Sequence, residues 1–157
     1  MSTYTIRNGA PEDVAQLLVF IKELAEFEHA LHEVAVTEAQ LLQDGFGENP
    51  VYGFFIAEKE LEIVGVAVYY FRYSTWKGKQ VYLEDLVVAA QERGKGLGKL
   101  LFERVMRFVL ETGSTGMKWQ VLDWNEAAIQ FYKKYNSRMD SEWIDCSLSA
   151  ETIREKL

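Results

Sequence analysis

Residues 82–112 constrain the fold more than any other stretch of this 157-residue chain. Tyr82-Leu-Glu-Asp-Leu-Val-Val88 is short, apolar and β-branched at its end, with two acids in its middle, and this is the pattern of a strand. Farther on, apolar side chains recur at Leu97, Leu101 and Val105 and at Phe102, Met106 and Val109, the spacing of an amphipathic helix pressed onto a sheet. Glu103, Arg107 and Glu111 follow one another at four-residue steps on its polar face. Between strand and helix, Gly94, Gly96 and Gly98 alternate with Lys95 and Leu97. A strand that stops in such a turn and restarts as a helix points several backbone N–H groups at one spot. The helix dipole adds positive potential there, and the missing Cβ atoms let an anion come close. Arg93, Lys95 and Lys99 supply mobile positive charge around it. Glycines alone also make a tight turn, but their alternation with flanking cations favours a seat for phosphate or pyrophosphate.

Two better-known phosphate motifs do not fit. No Gly-Lys-Ser/Thr closes the turn, which excludes a Walker loop. For a dinucleotide fingerprint the third glycine falls one position early. No acid stands about 20 residues on to meet a ribose; the run there is Thr112-Gly-Ser-Thr-Gly116.

Along the rest of the chain, residues 3–7 alternate as a strand that Asn8-Gly9 ends. Pro11, Glu12 and Asp13 suit a helix's first turn, and Val14, Leu17, Leu18, Ile21, Leu24 and Ala25 carry its apolar stripe to about Glu28. Thr37 and Gln40 form a capping box for a short helix to about Gln43, followed by a loop over 44–50. Residues 51–59 and 62–73 read as adjacent strands around a tight turn, and 74–80 as the loop into the strand at 82–88. Past the long helix come a strand at 117–122, a helix capped by Asn125 over 126–135, a last strand at 139–148 and a short helix or tail at 149–157. The expected architecture is α/β, a mixed sheet with helices on both faces in a single domain spanning 1–157, with no linker, repeat or low-complexity tract.

Composition narrows the function classes. With 48% apolar and 13% aromatic residues the chain can bury a sizeable core. No run approaches the roughly 20 apolar residues of a membrane helix, and no signal-peptide pattern opens the chain. Cys146 is the single cysteine, which excludes an intrachain disulfide and fits a reducing cytoplasm. A net charge of −7 argues against nucleic acid as the main partner and favours cationic small molecules. His29 and His32, beside Glu28 and Glu33, lack further ligands at useful spacing, so no metal is expected. Cys146 has no histidine near it in sequence and reads as packing rather than as a nucleophile.

Arg93-Gly-Lys-Gly-Leu-Gly98 after a strand resembles the Q/R-x-x-G-x-G/A acyl-CoA loop of the GNAT N-acetyltransferases. Tyr82-Leu-Glu-Asp85, Trp124-Asn-Glu-Ala-Ala-Ile-Gln-Phe-Tyr-Lys133, Leu42-Gln-Asp-Gly-Phe-Gly-Glu48 and Ile21-Lys-Glu-Leu-Ala25 are similar to the diamine (spermidine/spermine) N1-acetyltransferase subfamily and its thialysine-acetylating members. The likeness covers residues 4–135. It implies the GNAT fold, a mostly antiparallel sheet, acetyl-CoA as acyl donor, a small primary amine as acceptor, direct attack in a ternary complex, and an intertwined homodimer whose C-terminal strands meet the partner.

The site residues follow from the same likeness. It makes Glu84 the base that takes the ammonium's proton and Tyr132 the phenol that protonates the departing sulfur. The alternatives are that Glu84 pairs with a structural cation and that Tyr132 packs beside Phe131. Leu86, Val87, Val88, Asn125 and Ala128 would hold the pantetheine arm, and Arg93, Gly94, Lys95, Gly96, Leu97, Gly98 and Lys99 the pyrophosphate. Amine contacts map onto Glu28 and Glu84, with Phe27 where the family has a tyrosine and Ser74 where it has an acid. Loss of that acid favours a shorter diamine or a lysine-like or thialysine-like amine over a long polyamine. Strand alternation places Asp85 on the face opposite Glu84, so the two need not share a task. Trp76 stands beside the acceptor loop, as core, interface or cation contact, and Glu142 maps loosely onto another substrate acid. The rival functions are acetylation of a protein lysine or N-terminus by the same machinery, and a CoA-binding sensor without catalysis.

Overall fold

A computed structural model describes residues 4–157, which form two compact units, one ending at Gln120 and the other running Val121–Leu157. In the first unit, strands β1 (Thr5–Asn8), β2 (Gly53–Lys59), β3 (Glu62–Ser74), β4 (Gly78–Val88) and β5 (Met117–Lys118) make one sheet in that order. The pairs β1–β2, β2–β3 and β3–β4 are antiparallel, and β4–β5 is parallel. Helices α1 (Val14–Phe27), α2 (Glu38–Phe46) and α3 (Leu97–Glu111) cover the sheet.

Consecutive side chains of β2 show how the layers are built. The Phe54 ring packs edge-on against Phe46 of α2, and the Phe55 ring against Phe108 of α3. Because strand neighbours point to opposite faces, α2 and α3 lie on opposite sides of the sheet. Both faces are therefore dry, and Phe54, Phe55, Ile56 and Ala57 are all buried. On α3, Leu97, Leu101, Phe102, Val105 and Val109 are buried as their spacing requires, while Met106 sits at the exposed edge of the stripe.

The second unit holds α4 (Glu126–Lys133) and α5 (Ala150–Lys156). Asn125 caps α4, its side-chain oxygen accepting from the Ala128 N–H, and Ser149 caps α5 through the Thr152 N–H.

Several boundaries differ from the sequence reading. The strand at 117–122 shrinks to two residues, α2 runs on to Phe46, and β3 and β4 extend until only residues 75–77 separate them. The Ser74 hydroxyl closes that turn by accepting from the N–H groups of Trp76 and Lys77. The expected last strand at 139–148 is irregular chain. A strand needs a partner for its N–H and C=O groups, and among the described residues none pairs with this segment. Its apolar members Met139, Trp143, Ile144 and Leu148 are all exposed.

Candidate active site

The turn after β4 has the backbone its glycines suggested. Gly94 and Gly96 hold φ of +74° and +87°, in the left-handed region that a β-branched residue does not tolerate. A Cβ at either would meet nothing within 4 Å, so open space lies in front of both. Gly96 is the N-cap of α3, whose first-turn N–H groups have no intrahelical acceptor. Gly98 falls inside the helix with an ordinary φ, and a Cβ there would touch only Val88 at 3.8 Å. Two of the three glycines are thus demanded by the backbone, and the cradle fits a phosphate group.

The three cations are less mobile than expected. Arg93 Nε donates to the Val88 carbonyl at 3.0 Å. Lys99 lies 3.9 Å from Glu103, and Lys95 lies 3.3 Å from Glu92. Glu92 was not singled out by its sequence context, yet it is buried and gathers the Tyr4 hydroxyl, Lys59 and Lys95. Those bonds, the Tyr4 hydroxyl's first, hold its carboxyl down to about 2 against the cost of burial.

Strand β4 contains the decisive irregularity. Its register with β3 runs from Ser74 opposite Gly78 to Tyr69 opposite Leu83, then resumes with Val68 opposite Asp85 and continues to Gly65 opposite Val88. Glu84 has no opposite residue, so it forms a β-bulge. Cross-strand neighbours share a face. Leu83 therefore lies with Tyr69, which packs on Phe108 of α3, whereas Asp85 lies with Val68 on the α1 side. The expectation that alternation separates Glu84 from Asp85 fails because the bulge interrupts alternation at that point. Glu84 stands near enough to Asp85, to Glu28 at the C-terminal end of α1 and to the Tyr70 phenol to shift all three.

The resulting cluster is electrostatically strained. Burial first, then the charges of Glu84 and Glu28, push the Asp85 carboxyl up to about 6. Partial burial and then Glu84 raise Glu28 in the same direction. Among the described residues no Lys, Arg or His forms an ion pair with any of the three. Three carboxylates without a counter-ion make a place where a cation binds well.

The bulge also sets the backbone. Ala89 N–H donates to Val64 O, so the N–H groups of residues 85, 87 and 89 face β3. Those of Leu86 and Val88 face the other edge, where pairing with β5 stops at Tyr82 opposite Lys118. Beyond that point no described strand covers β4. Val87 turns its N–H inward, unlike its two neighbours.

The remaining expected site residues lie at separate places along the chain. Ser74 and Trp76 lie at the hairpin tip, six residues along β4 from Glu84, or about 20 Å at the usual strand rise. Trp76 is 83% exposed there, neither core nor cation cage in this chain. Phe27, the last residue of α1, lines a cleft of about 450 Å³ together with Phe20, Ile63, Ala89 and Arg93. In the second unit, Tyr132 is buried on α4 with its ring edge-on to Phe131, and Ala128 gives its N–H to the Asn125 cap. Glu142 and Cys146 are exposed in the irregular segment. No helix of the described residues is long and apolar enough to cross a membrane, and no group of three His, Cys, Asp or Glu there could hold a metal ion.

Comparison with known proteins bears on the fold and the family. The acetyltransferase (GNAT) family pattern matches residues 16–136. The chain is 37% identical to the thialysine N-epsilon-acetyltransferase of Mus musculus, over 99% of this chain and 98% of that one. It is also 37% identical to a human spermidine/spermine N(1)-acetyltransferase-like protein 1, over 84% of this chain and 20% of that one. An integron cassette protein from V. cholerae shares the fold with a TM-score of 0.78 at 20% identity, over 99% of this chain and 98% of that one. A strand–glycine turn–helix with an open β4 edge and a family match over most of its length leave one assignment: the chain belongs to the acetyltransferase (GNAT) family and is an N-acetyltransferase.

Proposed function

We propose that the protein moves an acetyl group from acetyl-CoA to a primary amine of a small acceptor that is dicationic or amino-acid-like, a short diamine or a lysine- or thialysine-like molecule. The observation that carries this reading is the meeting of Glu28, Glu84 and Asp85 at the β4 bulge without a described cation to neutralise them. An ammonium group supplies what the cluster lacks. The name of the mouse relative supports the lysine-like end of this range.

The donor supplies a thioester carbonyl. The N–H groups of Leu86 and Val88 on the open edge of β4 bind its pantetheine amides, and the turn from Gly94 to Lys99 takes its pyrophosphate. Glu84 accepts the acceptor's ammonium proton, directly or through water, which frees the nitrogen lone pair for attack. Asp85 and Glu28 hold the amine in register and offset its positive charge until the proton leaves. Tyr132 donates its phenolic proton to the departing sulfur. Attack is direct, within a ternary complex. The exposed apolar side chains of residues 139–148 support a homodimer in which that segment meets the partner, and the lone cysteine supports a cytoplasmic setting.

The test is steady-state acetylation of a panel of diamines, polyamines, lysine, ornithine, thialysine and lysine-containing peptides. The expected result is turnover of the short diamines or lysine analogues, with loss of rate in Tyr132→Phe. Tight CoA binding without turnover of any amine would replace this reading with a sensor, and preference for peptides would move the acceptor to protein lysines.

A further inference from the structure

The carboxylate of Glu92 is shared by two lysines of unequal standing. Lys59, from the end of β2, approaches Oε1 to 2.9 Å, and Lys95, from the glycine turn, approaches Oε2 at 3.3 Å. The Lys59 side chain is 31% exposed and that of Lys95 is 52% exposed. Tyr4 adds a hydroxyl to Oε2. One buried negative charge therefore holds two ammonium groups beside the phosphate cradle, and Glu60 adds a weaker pull on Lys59. When a lysine leaves such a cluster, the cost depends on what remains. A buried carboxylate stripped of its only cation is severely penalised, whereas one that keeps a second cation and a hydroxyl is not. Lys95, with the longer contact and the greater exposure, is the lysine that can leave.

We infer that Glu92 and Lys59 form a holding station for Lys95. They keep its ammonium parked beside the turn in the free enzyme and let it go to the CoA phosphates at low cost, because Lys59 keeps Glu92 neutralised. Lys59 is then a positioning residue for donor binding although it need not touch the donor. The inference rests on the phosphate reading of the glycine turn.

Calorimetric titration with CoA separates the two claims. Gly96→Val tests the turn itself, and at least a tenfold weakening is expected because its φ of +87° excludes a β-branched residue. Unchanged affinity in that variant would remove the phosphate seat and the holding station with it. With the seat upheld, Lys95→Gln weakens CoA by about tenfold and flattens the dependence on salt, as expected for a lost phosphate contact. Lys59→Gln weakens CoA by about fivefold, since Lys95 must then leave a carboxylate with no other cation. Lys59→Arg keeps the pair and the wild-type affinity. In the Lys95→Gln background, Lys59→Gln has no further effect on CoA affinity. Equal, additive losses in the two backgrounds, or no loss in Lys59→Gln, would overturn the inference. A purely structural Lys59 would lower the melting temperature and leave the CoA titration unmoved.

Discussion

Strand β4 and the turn that leaves it carry acids in two opposite conditions. At the bulge, Glu84 and Asp85 join Glu28 with no cation among the described residues, and Asp85 is driven up to about 6. Eight residues past Glu84, Glu92 is also shielded from solvent, yet its hydrogen bonds hold it near 2. Burial alone would raise both. What separates them is whether the chain supplies its own counter-charges: Lys59 and Lys95 pair with Glu92 beside the Tyr4 hydroxyl, whereas the bulge has the Tyr70 phenol near Glu84 but no ion-paired cation among the described residues. The completed cluster ties the end of β2 to the segment that leaves β4. The incomplete one costs stability and, in the proposed reading, leaves a charge for the acceptor to balance. A protein keeps such a deficit where binding or catalysis uses it.

The sharpest way to break this contrast is to neutralise one acid in each cluster. Glu84→Gln is expected to lower kcat by about 100-fold or more, the usual worth of a positioned general base, with little change in melting temperature. Glu92→Gln is expected to do the reverse, lowering the melting temperature by several degrees while kcat at saturating donor stays near wild type. Thermal scans and initial rates on both variants decide the matter. A stable, fully active Glu84→Gln enzyme would remove the base and leave the bulge without its function.

Asp85 sharpens the comparison through pH. Its carboxyl ionises near 3.8 in the unfolded chain and near 6 in the fold, so the folded state binds the extra proton between those values. Stability therefore falls as pH rises through that window and levels off above it. Asp85→Asn removes the deprotonated charge and is expected to stabilise the protein by about 2 kcal/mol at pH 8, with the gain vanishing near pH 3.5. Urea titrations at both pH values measure it. For Glu92 the sign is opposite: its contribution is complete above about 4.5 and is lost as pH falls towards 2. A bis-quaternary ammonium competitor, which cannot titrate, should inhibit about tenfold better at pH 7 than at pH 5 as Asp85 ionises, and the dependence should flatten in Asp85→Asn.

The glycine turn and the two acid clusters beside it are not equally legible in the sequence. The turn is legible because its requirements are local: alternating glycines between an apolar strand and an amphipathic stripe leave little freedom. The Glu92 cluster was hidden because Tyr4 lies 88 residues away and Lys59 33, and no short pattern joins them. The bulge was misread for a different reason. Period-two alternation is the only register a bare strand offers, and the extra residue at Glu84 shows only when β3 is laid beside β4. The segment at 139–148 failed as a strand because pairing requires an edge that its own residues do not announce.

The smallest expected effect concerns how Glu28 is presented. α1 ends at Phe27, and the chain turns through His29, whose φ is +60°. The N–H of Ala30 bonds back to the Ala25 carbonyl and that of His29 to the Glu26 carbonyl, the six-to-one and partner bonds of a helix stop that ordinarily uses glycine. A side chain in this conformation costs about 1 kcal/mol. His29→Gly relieves that strain but loosens the unfolded chain, so the net stabilisation is expected to be only about 0.5 kcal/mol. If the strained stop serves to fix Glu28 beside Glu84, the same change should raise KM for the acceptor about twofold to threefold and move KM for acetyl-CoA less, since in the proposed reading Glu28 meets the amine and not the donor. Equal changes in both constants would show that α1 as a whole had moved. No change in either would mean that the acid cluster tolerates slack at Glu28 and that its geometry is set by the bulge alone.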